Sequence, residues 1–267
     1  MESHVSFEVA DHVATVTLAR TTMHPSFFGE MEATFRKISA DDGIRAVIVQ
    51  GAGKVFSHGL DLGAAFQELG PHFAGSATAG PRAELHAMIL RLQGAFNAVA
   101  ACPAPVIAAI HGWCIGGGLD LAAACDVRLA TADARFSLRE TKIAIVADLG
   151  SLQRLPPIIG LGRTRELAFT GKDVSAARAE AIGLVNEVFA DRDALLAGAR
   201  AMAAEIAANP PLTVRGVKQV LAFGEGKTVA EGLAYVAAWN SAFLASEDLG
   251  EALAAFVEKR PPQYKGR

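Results

Sequence analysis

Apolar and polar positions alternate near the start of the chain, where Phe7, Val9, Val13, Val16 and Leu18 fit two short strands turning near Asp11. The period then lengthens. Phe28, Met31, Phe35 and Ile38 form one stripe and predict a helix over 27–38, with Ser26 as its cap. The short apolar run 46–49 predicts a buried strand, and a loop bearing Gly51, Gly53 and Gly59 follows it. Leu85, Ile89, Leu92 and Phe96 predict a helix over 82–101, stopped by Pro103 and Pro105. Residues 106–110 again look like a strand. Gly116-Gly117-Gly118 opens an apolar helix over 119–124, and 127–130 and 143–146 are further strand candidates. After Leu149 the pattern is mostly helical, with Ala-rich windows from 195 to 257. An α/β core over 1–209 is therefore expected, followed by a helical region over 210–267 that packs or oligomerises. Residues 70–81, rich in Gly, Ala and Pro, are the best candidate for a mobile insert.

Composition narrows the function classes. The 267 residues are 51% apolar and 20% charged, ample for a globular core. A net charge of −3 provides no broad basic field for nucleic acid or an anionic membrane. Cys102, Cys114 and Cys125 cannot all pair and show no zinc-site spacing, so reduced thiols are expected. The first residues, Met1-Glu2-Ser3-His4, do not read as a signal segment, and the last four, Tyr264-Lys265-Gly266-Arg267, are not a peroxisomal address. The longest apolar stretch, 99–110, is too short to span a bilayer and contains two prolines. A cytoplasmic protein without membrane insertion is the expectation.

Two glycine loops each follow a short strand. The first is Val55-Phe56-Ser57-His58-Gly59-Leu60-Asp61-Leu62, and the second is His111-Gly112-Trp113-Cys114-Ile115-Gly116-Gly117-Gly118-Leu119-Asp120. A glycine run at a helix start frees backbone N–H groups to face an anionic oxygen. Two such donors from separate loops make an oxyanion hole, each worth roughly 3–4 kcal/mol in the transition state. Taken singly, either loop also suits a plain tight turn. Neither is a phosphate loop or a dinucleotide fingerprint, since no Lys-Ser/Thr follows and the glycine spacing differs.

The first loop resembles the Phe-Ser/Thr-Ala-Gly-x-Asp-Leu loop of the crotonase family, the enoyl-CoA hydratases and isomerases. The second resembles that family's Gly-Gly-Gly-x-Asp/Glu helix start, and the likeness runs in order over nearly the whole chain. It implies a crotonase-like ββα superhelix with a C-terminal helical trimerisation region. It also implies an acyl-CoA thioester substrate, no cofactor beyond the coenzyme A of the substrate, and assembly as a homotrimer or hexamer. By the same resemblance the N–H groups of His58 and Gly117 would form the oxyanion hole, and His58, Gly59, Leu60, Asp61, Leu62 and Gly118 would line the substrate and CoA site. The family usually has Ala at the place of His58. That side chain either points outward as a spectator or touches the CoA or the acyl chain. Lys259, Arg260 and Lys265 could reach the nucleotide, or they form a solvated basic tail.

Three acids stand near the second loop: Asp120, Glu140 and Asp148. Asp120 and Asp148 could be helix caps, and Glu140 could pair with Arg139 or Lys142. Hydratases of the family carry Glu at the places of Asp120 and Glu140 and usually Gly at that of Asp148. Its dienoyl-CoA isomerases look like this chain, with Asp, Glu and Asp. The resemblance therefore implies a 3,5- to 2,4-dienoyl-CoA isomerase of unsaturated fatty acid oxidation. Glu140 would take the C2 proton, Asp148 would protonate C6, and Asp120 would tune Glu140; the reverse order for Glu140 and Asp148 stays open. Leu138, Ile143, Ile145, Val146 and Leu149 could supply apolar walls that raise the acids' pKa values. A 2-enoyl-CoA hydratase is the alternative. A non-catalytic or RNA-binding relative would need a lysine-rich helix, which the sequence lacks. No metal site is expected, because the acids have no His partners at ligand spacing. His111 reads as structural.

Overall fold

A computed structural model describes residues 3–73 and 78–267, with the backbone alone at 69–73. Strands β1 (Val5–Ala10) and β2 (Val13–Leu18) form an antiparallel hairpin. Its two turn residues, Asp11 and His12, are both left-handed (φ 48° and 67°), the geometry that matches the twist of the strands they join. Strand β3 (Ala46–Gly51) then pairs parallel with β2, and β4 (Val106–Ile110) pairs parallel with β3. The sheet is completed by β6 (Val127–Thr131) and β9 (Glu187–Phe189), giving the order β1-β2-β3-β4-β6-β9. A second, three-stranded sheet joins β5 (Trp113–Ile115), β7 (Arg135–Ser137) and β8 (Val174–Ser175).

The continuous apolar runs of β3 and β4 follow from burial on both faces. Val47, Val49, Val106, Ala108 and Ile110 point into the main core, while Ala46, Ile48, Ile107 and Ala109 face a second core. That second core is closed by Leu195, Ala199 and Ala203 of helix α8 (Arg192–Ala207). The main core is closed by α1 (Pro25–Ser39), α3 (Ala79–Ala100) and α4 (Gly117–Ala124), with Phe28, Met31, Phe35 and Phe96 fully enclosed.

Several boundaries differ from the pattern reading. Helix α1 is capped by His24, whose Nδ1 accepts from Ser26 N–H at 3.2 Å, and not by Ser26. Pro25 takes the first helical position, where a missing N–H costs nothing. The strand expected at 143–146 does not form. Glu140–Ile143 is a 3-10 turn, Ala144 is left-handed (φ 60°), and Ile145 N–H returns to Glu140 O at 3.0 Å, so no ladder can start. The expected insert at 70–81 is helical at both ends, since α2 (Leu62–Phe73) and α3 extend into it; 74–77 lie outside the described residues. The remaining helices are α5 (Ser151–Ile159), α6 (Leu161–Thr170), α7 (Ala176–Ala181), α9 (Pro211–Gly224), α10 (Val229–Phe243) and α11 (Glu247–Glu258).

Candidate active site

The two glycine loops meet. Ser57 and Cys114 form a parallel bridge, with Ser57 N–H donating to Trp113 O (2.9 Å) and Ile115 N–H to Ser57 O (3.0 Å). Gly59 is left-handed (φ 79°), and a Cβ there would lie 2.7 Å from Ile115 O and 3.0 Å from Gly117 N. Only glycine lets the loops approach this closely. A Cβ on Gly118 would lie 2.9 Å from that of Ser57, so this glycine, expected among the substrate contacts, is spent on loop packing.

The first-loop amides sort themselves by partner. Ser57 N–H goes to Trp113 O, Gly59 N–H to Ser57 Oγ (3.0 Å) and Asp61 N–H to Met23 O (2.9 Å). His58 N–H donates to Thr21 O at 2.7 Å, so the expectation that it serves an oxyanion is corrected: it is already used. Among the described residues no partner is formed by Leu60 N–H. Leu60 sits at a parallel bridge to Met23 in which Gly59 O and Asp61 N–H make the bonds, which turns its own amide to the opposite side. Gly117 begins α4, so its N–H has no acceptor within the helix. Gly118 N–H lacks one for the same reason, but it is Gly117 N that lies 3.0 Å from the Cβ position of Gly59, so Leu60 and Gly117 are the donors the two loops bring together. The signal in the sequence was the glycine at 59, a residue free to take the positive φ that flips the next peptide. The His58 side chain is exposed. Asp61, expected in the substrate site, accepts from Ala64 N–H (3.0 Å) and Thr22 Oγ (3.3 Å). Its carboxylate caps α2, and that hydrogen bond from Ala64 holds it below its usual range. Leu62 is 40% exposed at the first turn of the same helix.

Beyond the loops lie the acids. Asp120 is buried in the first turn of α4, yet the helix it caps is α5, through Ser151 N–H to Oδ1 at 2.6 Å. Its Oδ2 has no donor but the Glu140 carboxyl. Burial pushes its carboxyl up to about 6, opposed by Ser151 and reinforced by the charge of Asp148. Glu140 opens the 3-10 turn with Oε2 enclosed and without a donor from any other group, the Asp120 carboxyl being its hydrogen-bonding neighbour, and a Cβ on Gly116 would lie 3.3 Å from Oε1. Burial, then the charge of Asp120, raises it to about 7, and Asp148 contributes in the same direction. The basic neighbours that could have paired with Glu140 are turned elsewhere: Arg139 bonds Asp173 at 2.5 Å and lies over the Trp113 ring, while Lys142 packs on Gly171.

Asp148 lies in an irregular segment just before α5. Its residue is exposed, although enough protein surrounds the carboxyl for desolvation to raise it. It acts electrostatically on both Asp120 and Glu140, so the three acids form one cluster. The apolar walls are only partly those expected: Leu138 and Leu149 are buried, whereas Ile143, Ile145 and Val146 (76% exposed) face outward. Met23, which pattern reading did not single out, lies against Gly117 together with Leu149. His111 is structural in its contacts, bonding Gly53 O at 2.9 Å through Nε2, and burial lowers its pKa. Arg260 forms a bidentate pair with Glu251 (2.6 and 2.9 Å), which leaves it poorly placed to serve a nucleotide. Among the described residues no group of three His, Cys, Asp or Glu side chains is arranged to hold a metal.

The model of the enoyl-CoA hydratase/isomerase family matches residues 8–267. This chain belongs to that family. Among its curated relatives is the mitochondrial Delta(3,5)-Delta(2,4)-dienoyl-CoA isomerase of Dictyostelium discoideum, 42% identical over 99% of this chain and 90% of its own. The peroxisomal Delta(3,5)-Delta(2,4)-dienoyl-CoA isomerase of Arabidopsis thaliana is 42% identical over 89% of this chain and 86% of its own. Among solved structures, the enoyl-CoA hydratase of Bacillus anthracis superposes with a TM-score of 0.89 at 32% identity, covering 99% of this chain and 100% of that one. The family's fold is thus the crotonase fold expected from the two loops. No helix of the described residues is long and apolar enough to cross a membrane.

Proposed function

We propose that the protein is an isomerase converting 3,5-dienoyl-CoA to 2,4-dienoyl-CoA in unsaturated fatty acid oxidation. The observation that carries this reading is the third acid: Asp148 stands within electrostatic reach of both Glu140 and Asp120. A hydratase needs two carboxylates around one water. Moving a proton from C2 to C6 needs a base at one end of the acyl unit and an acid at the other.

In this reading the thioester oxygen accepts from Leu60 and Gly117 N–H. Glu140 removes a proton from C2, and the electron pair spreads as a dienolate from the thioester oxygen to C6. Asp148 delivers a proton to C6, leaving double bonds at C2 and C4. Asp148 is exposed and can recover its proton from water, while Glu140 releases the one it gained. Asp120, whose enclosed oxygen has no donor but Glu140 and whose charge raises Glu140, tunes the base. The only cofactor in this reading is the coenzyme A of the substrate, and nucleic acid plays no part. The division into a core over 1–209 and a helical region over 210–267 is kept, with the latter joining copies into a trimer or a dimer of trimers. A cytoplasmic location is the corresponding proposal for this chain; the relatives' names carry organelle labels that do not travel with the chemistry.

The test is turnover of a 3,5-dienoyl-CoA beside hydration of crotonyl-CoA. Asp148→Asn is expected to lower isomerisation by about 10²–10⁴-fold. Hydration faster than isomerisation in the unaltered protein, with Asp148→Asn neutral for both, would give the site to the hydratase reaction instead.

A further inference from the structure

We propose that Arg154 and Gln93 are positioning residues that clamp the segment carrying Asp148 and so govern proton delivery at the far end of the dienolate. The inference rests on the role given to Asp148 above. Residues 144–150 have no helix or strand of their own to hold them. Two carbonyls in that segment are held instead by side chains from flanking helices. Gln93 of α3 donates through Nε2 to Asp148 O at 2.7 Å, and Arg154 of α5 donates through Nη1 to Leu149 O at 3.3 Å. Arg154 is itself tied back to α3, its Nη2 bonding Asn97 Oδ1 at 2.7 Å. Gln93 and Asn97 are four residues apart on one helix and so share a face. The clamp thus runs from one helix through the loop to the other.

Gly150 gives independent support. Its φ is 120°, and a Cβ there would lie 1.9 Å from Arg154 Nη1. The guanidinium therefore fills the space a side chain would occupy, directly against the backbone after Asp148. Arg154 also faces Asp120, whose pKa its charge lowers. A forked, planar donor can bond the loop and Asn97 together; an ammonium cannot reproduce that geometry.

The test uses Arg154→Gln, Arg154→Lys and Gln93→Leu beside Asp148→Asn. Two quantities are measured on a 3,5-dienoyl-CoA: steady-state isomerisation, and exchange of the C2 hydrogen with D2O, which reports the base step alone. A displaced Asp148 slows protonation at C6 and leaves C2 chemistry in place. Arg154→Gln and Gln93→Leu are expected to lower kcat roughly tenfold to a hundredfold, because a misplacement of about 1 Å costs up to that much. Gln93→Leu leaves KM and C2 exchange near those of the unaltered protein. Arg154→Gln, which also removes a charge facing Asp120, slows exchange less than turnover, whereas Arg154→Lys keeps that charge, restores exchange and recovers only part of the turnover. Gln93→Leu removes one hydrogen bond from a half-buried helix position, so it remains informative if Arg154→Gln does not fold. Equal loss of exchange and turnover in the clamp variants would overturn the clamp. So would full activity in both Gln93→Leu and Arg154→Gln while Asp148→Asn is inactive. Full activity in Asp148→Asn would instead remove the acid itself, and the proposed isomerase mechanism with it.

Discussion

Asp120 and Glu140 each keep one enclosed carboxylate oxygen with no donor but the other acid, an arrangement that raises a carboxyl pKa and costs stability when the group ionises. Two predictions belong to this scale. If Glu140 is the base at C2, kcat/KM rises with pH through about 7, the value to which burial and Asp120 push it. A profile that falls through the same pH would assign Glu140 as the acid and Asp148 as the base. The second prediction concerns stability. A carboxyl raised in the folded chain still holds its proton at pH values where the unfolded chain has lost it. Folding is therefore disfavoured progressively as pH rises from Glu140's ordinary value of 4.5 to about 7. Glu140→Gln removes that cost. It is expected to stabilise the protein by about 1–3 kcal/mol at pH 8 and to have little effect near pH 4, read as Tm at both. The identities and order of the acids were legible in the sequence by resemblance. Which helix Asp120 caps was not, because Ser151 N–H comes from thirty-one positions along the chain.

At the scale of elements, the chemistry sits where regular structure stops. The oxyanion donors lie at the turn after Gly59 and at the start of α4, and Asp148 lies in the segment before α5. Pattern reading located β2, β3, β4, α1 and α3 because their apolar positions repeat with a definite period. It misread 143–146, where an apolar run is exposed and Ala144 turns the chain. It also overlooked β5, β7 and β8, strands of two or three residues whose pairing supplies their only signal. Gly150→Ala tests this scale. The added methyl meets Arg154 and the left-handed φ strains any other residue, so a loss of about 1–3 kcal/mol in stability is expected by denaturant unfolding. Gly162→Ala is the control, as a Cβ there meets nothing within 4 Å.

At the scale of the molecule, the helices beyond residue 210 are apolar yet poorly covered. Helix α10 has no buried residue, Leu233 is 62% exposed, and Phe256 of α11 is 84% exposed. Ion pairs from Arg215 to Asp42 and from Lys218 to Asp126, both at 2.6 Å, join α9 to the core, and Arg45 holds Tyr264 O at 2.8 Å. Apolar surface on two successive helices fits association of copies. Leu233→Asp with Phe256→Asp is expected to shift sedimentation toward monomers. An unchanged assembly would place the interface elsewhere on the chain.

The sequence by itself determined the two glycine loops, the order of the three acids and the alternation of strands and helices. Each of these is a local pattern or a residue identity that reads the same whatever surrounds it. Only the tertiary structure decided which amide is left to face a substrate and which of the apolar residues near Asp148 are covered. The same holds for the side chains that grip its backbone. Thr21 claims the amide of His58, Met23 turns that of Leu60, and Gln93 and Arg154 reach Asp148 and Leu149 from separate helices. A hydrogen-bond partner far along the chain leaves no periodic trace, so its effect on a site emerges only when the chain is folded.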